Sequence, residues 1–206
     1  MTDNNAPYRE QHKQRLNFMP WLYFTLKDKH KLWATEWQNA LQQRLAALET
    51  VTFGEHCFVA ENANLFAEPG RTIQLGDSSF IAANCFLHGP IQIGRSVSIN
   101  QDCKLEGSRG GIVIGDYTRI AAGCALYAFN HGTSALDLIS TQPITSKGIT
   151  IGKDVWIGAH CGITDGVQIG DHAIIGMNST VTRNVAPWSI MAGSPARKIG
   201  DRRDSK

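Results

Sequence analysis

Residues 149–181 read ITIGKDVWIGAHCGITDGVQIGDHAIIGMNSTV, with an aliphatic side chain at every sixth position: Ile151, Ile157, Ile163, Ile169, Ile175 and Val181. A period of six is neither the roughly 3.6-residue period of a helix nor a simple two-residue alternation, so the stretch reads as a repeat architecture. Glycine follows four of the six, and the same dipeptide recurs upstream as Leu75-Gly76, Ile93-Gly94 and Ile114-Gly115. The steps from Leu75 to Ile93, Ile114, Ile151 and Ile169 are 18, 21, 37 and 18 residues. Three hexads therefore make one coil. A coil of three short strands cannot bury its own apolar side, so coils must stack with strands about 4.8 Å apart. The expected fold is an all-β triangular prism, and the departures from 18 predict about three extra residues near Ser108–Gly111 and a further 19 between Leu126 and Ile151.

The fifth position of a hexad should face inward at a corner with room only for a small side chain. Ser79, Val97, Thr118, Val155, Ala173 and Ser179 occupy such positions, as do Cys85, Cys103, Cys124 and Cys161. Those four of five cysteines read as buried fillers; an odd count without a CxxC pair fits neither a disulfide framework nor a zinc knuckle. Residues 1–52 lack the period and carry Trp33, Trp37, Leu41, Leu45 and Leu48 at three- and four-residue spacing, the pattern of an amphipathic helix that caps the first coils. Pro20 separates it from an earlier short helix near Gln11–Phe18. The expected organisation is a helical cap over 1–52, a β-helical domain over 53–200 with an inserted loop at 131–148, and a polar tail at 201–206. A formal charge of +2 with 18% charged residues gives no footprint for nucleic acid. No apolar run approaches the roughly 20 residues of a membrane span, and the N-terminus has no signal-peptide pattern, so a cytoplasmic location is expected.

The ordered set VWIGA at 155–159, DGVQIGD at 165–171 and GSPAR at 193–197 resembles the hexapeptide-repeat acetyltransferases, closest to the galactoside and maltose O-acetyltransferases, the xenobiotic acetyltransferases and the surface-polysaccharide O-acetyltransferases. The resemblance covers residues 55–200. It implies a left-handed parallel β-helix, a homotrimer with active sites between neighbouring prisms, and acetyl-CoA as co-substrate with no metal. Acetyl transfer needs a base for the acceptor hydroxyl, and a neutral imidazole suits that task near neutral pH. His131, in Phe129-Asn130-His131-Gly132 at the start of the long insertion and 16 residues after Gly115, stands where the galactoside-type enzymes keep their catalytic histidine. Asn130 is the candidate to position it or the acceptor, and Glu106 or Asp116 is the expected carboxylate that fixes its tautomer. The family's coenzyme contacts carry over to Trp156, Ala159, Met177, Thr182, Arg183 and Arg197, with backbone near Gly158 and Ala159 for the pantetheine and Arg183, Arg197 and Lys198 for phosphates. Arg202 and Arg203 fall beyond the motif and read as a solvated basic tail. An acceptor contact carries over to Asn100 with a one-residue slip, while the family's acceptor aspartate falls at or near Arg109, so a simple galactoside is not the expected acceptor. Tyr127, Phe129, Asp137 and Gln142 are further candidates to line its site.

Two other readings use the same fold. A non-catalytic scaffold would use the prism as a binding surface. A metal hydratase of the γ-carbonic-anhydrase kind needs three zinc-binding histidines, two of them spaced HxxxxH, whereas His131 is followed at four and five residues by Ala135 and Leu136.

Overall fold

The computed structural model describes residues 6–204, so the outer ends of the expected cap (1–5) and tail (205–206) lie outside the described residues. The repeat forms a parallel β-helix with three faces. The first face is built from Val51–Phe53, Ile73–Leu75, Ile91–Ile93, Ile112–Ile114, Ile149–Ile151 and Gln168–Ile169, stacked in that order. Every pairing along it is parallel and in register, Ile114 lying between Ile93 and Ile151. The second face carries Trp156–Ile157 between Arg119–Ile120 and Ile174–Ile175, and the third carries Ala125–Tyr127 between Lys104–Glu106 and Gly162–Ile163. The period-six aliphatics point inward: Ile151, Ile157, Ile163, Ile169, Ile175 and Val181 are all buried. At about 1.5–3 kcal/mol for each large aliphatic removed from water, this column is the main source of stability.

The corners explain the small residues. Cys85, Cys103, Cys124 and Cys161 form one buried column, each Sγ within 3.1–3.2 Å of a carbonyl oxygen of the neighbouring coil. Cys57, left unexplained by the repeat, heads the Ser79–Val97–Thr118 column and reaches the Gly76 carbonyl at 3.2 Å. Contact with Cys103, together with burial, pushes the Cys124 thiol up to about 12, so these sulfurs are inert fillers. The glycine after each aliphatic lets backbone rest on backbone: a Cβ on Gly158 would lie 2.6 Å from the Met177 nitrogen.

The N-terminal segment folds as helix α1 (Ala6–Phe18), a 3-10 turn (Pro20–Thr25) and helix α2 (Asp28–Leu48). The three- and four-residue spacing is realised through most of the helix: Ala34 and Leu41 are buried, and Trp33, Trp37 and Leu45 pack against the core, whereas Leu48, in the last turn, is exposed. The cap also satisfies an open strand edge. Gln38, 1% exposed, donates from Nε2 to the Val59 carbonyl (3.0 Å) and accepts from the Val59 N–H at Oε1 (2.9 Å), as a neighbouring strand would.

At the other end, Ser189–Ala192 continues the second face and Arg197–Asp201 returns antiparallel to it. Arg202 is not solvated tail: its guanidinium donates to the Asp154 carboxylate (2.8 Å), which also meets His172 Nδ1 (2.9 Å). Arg203 pairs with Asp201 at 2.8 Å.

Candidate active site

Both predicted insertions leave the corner between the third and first faces, one coil apart. They touch because Ser146 Oγ donates to the Ala128 carbonyl while accepting from the N–H groups of Arg109 (3.2 Å) and Gly110 (2.7 Å). Gly110 and Gly148 meet so closely that a Cβ on Gly110 would lie 2.3 Å from the Gly148 nitrogen. Asp165 Oδ1 then accepts from the N–H groups of Lys147 and Gly148 at 2.7 and 2.9 Å, pinning the exit of the long loop to the next coil.

Inside that loop a two-residue hairpin pairs Asn130 with Thr145 and His131 with Ile144. Gln142 braces its tip, accepting from the Ser134 N–H at 2.8 Å and donating to the carbonyls of Ser134 (3.0 Å) and Asp137 (2.9 Å). Gln142 is thus a strut within the loop. A Cβ on Gly132 would collide with it at 2.6 Å, which accounts for the glycine after His131.

His131 is exposed. Its ring meets the edge of Phe129 (centroids 5.8 Å, 75°), and Phe129 in turn meets Tyr127 (5.9 Å, 75°), so an aromatic chain rooted on the third face orients the imidazole. The period of six carries no signal for that chain, which needs the loop's path. The expected orienting carboxylates are elsewhere. Glu106 is held by His88 (2.9 Å to Nδ1), and Asp116 by Arg95 (3.1 Å), because each belongs to a coil whose nearest neighbours in register are those residues. Among the described residues neither ring nitrogen of His131 has a hydrogen-bond partner, and both are open to a substrate.

Three of the other histidines have ring nitrogens already engaged. His88 lies between Glu68 and Glu106, His172 on Asp154, and His30 accepts from Trp33 Nε1 at 3.3 Å. His56 and His160 occupy coil corners with φ of 53° and 57°, and His12 packs between Tyr8 and His30.

The coenzyme candidates divide into two groups. Trp156, 55% exposed, projects from the second face beside Arg119 and Ile174. Ala159 and exposed Met177 lie at the corner where the second face turns into the third, Ala159 giving its carbonyl to the Asn178 N–H (2.9 Å). The GSPAR turn sits against the same strands, Thr180 donating to the Gly193 carbonyl and the Ala196 N–H to the Thr180 carbonyl. Exposed Arg197 follows; its guanidinium donates to the Ala196 carbonyl and meets no carboxylate, whereas Lys198 is neutralised by Asp201 at 3.2 Å. Thr182 and Arg183 instead come after the third-face strand Thr180–Val181, on the edge from which the His131 hairpin departs. Asn100 is at the second-to-third corner and donates from Nδ2 to the Ile120 carbonyl (2.8 Å). One chain therefore holds His131 at one end of the third face and Trp156, Ala159, Met177, Arg197 and Asn100 toward the other. Among the described residues no group of three or more His, Cys, Asp or Glu is placed to hold a metal, and no helix is long and apolar enough to cross a membrane.

Comparison with known proteins agrees with this architecture. Residues 148–183 match the family described as bacterial transferase hexapeptide (six repeats). A galactoside O-acetyltransferase of Escherichia coli is 36% identical over 114 residues, 55% of each chain. A probable acetyltransferase of Mycobacterium tuberculosis is 28% identical over 170 residues, 79% of this chain and 55% of that one. The chain spans about half the length of these curated relatives. Among solved structures, a point mutant of the N-acyltransferase AntD of Bacillus cereus, in complex with dTDP-4-amino-4,6-dideoxyglucose and coenzyme A, superposes with a TM-score of 0.71 at 26% identity, covering 78% of this chain and 88% of that one. The sequence resemblance to hexapeptide-repeat acetyltransferases thus holds at the level of repeat, fold and relatives.

Proposed function

We propose that this hexapeptide-repeat chain is an acetyl-CoA-dependent O-acetyltransferase acting on a hydroxyl of a sugar or saccharide-like acceptor, with His131 as general base. The observation that carries the reading is an imidazole with both ring nitrogens unclaimed, oriented by Phe129 on a braced hairpin. In the step envisaged, His131 takes the acceptor's hydroxyl proton as its oxygen attacks the thioester carbonyl. The tetrahedral oxyanion then collapses, the C–S bond breaks, and the coenzyme's sulfur recovers the proton from the imidazolium. Asn130, one residue before the base, is suited to hold the acceptor.

Because one chain separates His131 from Trp156, Ala159, Met177 and Arg197, the complete site is read as a seam between copies in a homotrimer. The hairpin loop supports this, since Leu136 (94% exposed), Leu138, Ile139 and Ile144 present aliphatic surface that a neighbouring prism would cover. In that seam Arg183 and Arg197 pair with the coenzyme's phosphates, Trp156 and Met177 flank its apolar arm, and Thr182 offers a hydroxyl.

An amine acceptor is the second reading, favoured by the likeness to AntD, an N-acyltransferase solved with an amino sugar nucleotide. Release of free CoA from acetyl-CoA, measured against panels of hydroxyl and amino saccharides, separates the two. His131→Ala should lower turnover by about 10² to 10⁴ with melting unchanged; a folded variant of normal turnover would remove His131 from the role.

A further inference from the structure

Helices α1 and α2 and the turn between them border an open-sided pocket of about 320 Å³ that shares no residue with the His131 hairpin or the coenzyme set. Its floor is apolar, formed by Leu16 and Leu26, and the rings of Tyr8, His12 and His30 wall one side. Arg15, Lys27 and Lys29 add positive charge to the lining, Leu22 and Thr25 complete it, and no acidic side chain is part of it. Neighbouring lysines are neutralised, Lys13 by Glu10 and Lys31 by Asp28, but among the described residues Arg15, Lys27 and Lys29 have no ion-pair partner. All three are exposed, and together they set positive charge at the mouth of an apolar floor, a field that attracts an anion.

The histidines add a second, independent sign. His12 is held between Tyr8 (4.7 Å) and His30 (4.6 Å), and its Nε2 is buried without a hydrogen-bond partner. Burial, then the positive charges of His30, Arg15 and Lys29, hold its pKa below the ordinary value, so the ring is neutral and Nε2 is a polar atom awaiting a contact. His30 Nδ1 accepts from Trp33, which leaves an N–H at its Nε2 when the ring is neutral.

We propose that this pocket binds a small organic anion, a carboxylate or phosphate carried on a flat apolar body. Arg15 and Lys29 pair with the charge, the body lies on Leu16 and Leu26 against the rings, and His12 Nε2 gains its missing partner. The volume is at the lower end of ligand sites and admits a single ring with its charged group.

Calorimetric titration of the full chain with phenyl phosphate, benzoate and benzyl alcohol tests this. Saturable binding of at least one anion, one per chain, is expected, with no binding of the neutral alcohol; the two anions distinguish phosphate from carboxylate as the preferred group. The double variant Arg15→Gln, Lys29→Gln, both exposed positions, should weaken binding at least about tenfold, the loss expected for charge-assisted hydrogen bonds. Lys31→Gln, whose ammonium already pairs with Asp28, should leave affinity unchanged. Equal binding of benzyl alcohol, no binding of either anion, or unchanged affinity in a double variant that melts normally would overturn the assignment.

Discussion

His88 touches Glu106 at 2.9 Å through Nδ1 and Glu68 at 3.1 Å through Nε2. Burial opposes its charge, but the hydrogen bonds to Glu68 and Glu106 outweigh it and raise the pKa above the ordinary value of 6.5. A raised folded-state pKa stabilises most below the unfolded value, and the contribution is lost as pH climbs from about 6.5 through the raised value. Melting followed from pH 6 to pH 9 should therefore fall more steeply for the native chain than for His88→Gln; parallel curves would contradict the linkage. Arg197 makes a different prediction. Its guanidinium has no carboxylate to leave, so Arg197→Ala should raise the apparent KM for acetyl-CoA roughly tenfold with kcat little changed, the mark of uniform ground-state binding. An unaltered KM would remove it from the phosphate site. The sequence singled out His131 as a candidate through its place at the start of an insertion and through the family resemblance. It could not reveal what orients the ring, because Glu106 and Asp116 find their partners through coil register, and Phe129 reaches His131 only through the path of the loop.

The helical cap and the coils were legible for opposite reasons. A period of six over 33 residues admits few structures, and the corner positions it assigns to cysteine are buried as that period requires. The helix α2 was visible in its tryptophans and leucines, but its most consequential contact was not. Gln38 is a polar residue on the buried face, and a pattern of apolar spacing passes over it. Its carboxamide closes the Val59 edge through two hydrogen bonds. Gln38→Ala strands a buried N–H and a buried carbonyl, at about 1–3 kcal/mol for each group left unsatisfied. Denaturant unfolding should show a loss of about 2–6 kcal/mol; a change within about 0.5 kcal/mol would mean that water or α2 itself replaces those bonds. The contact between the two insertions was also hidden, since it depends on Ser146 reaching across one coil to the N–H groups of Arg109 and Gly110.

At the scale of the whole molecule, the prism separates what the proposed reaction must bring together. The third face lies between the corner that bears Ala159 and Met177 and the edge from which His131 projects, and exposed Leu136, Leu138 and Ile139 extend from that edge. Under the proposed function, a neighbouring prism that covers those aliphatics would lend its own corner to His131, and each site would be shared between two copies. The arrangement is a consequence of stacking coils into a rigid wall: no hinge is required, only a second wall. Light scattering of the purified chain, with CoA release assayed across the same eluting peak, tests this most directly. The account predicts that activity follows a species about three times the 22.6 kDa of one chain. Full activity in a peak of one chain's mass would contradict it.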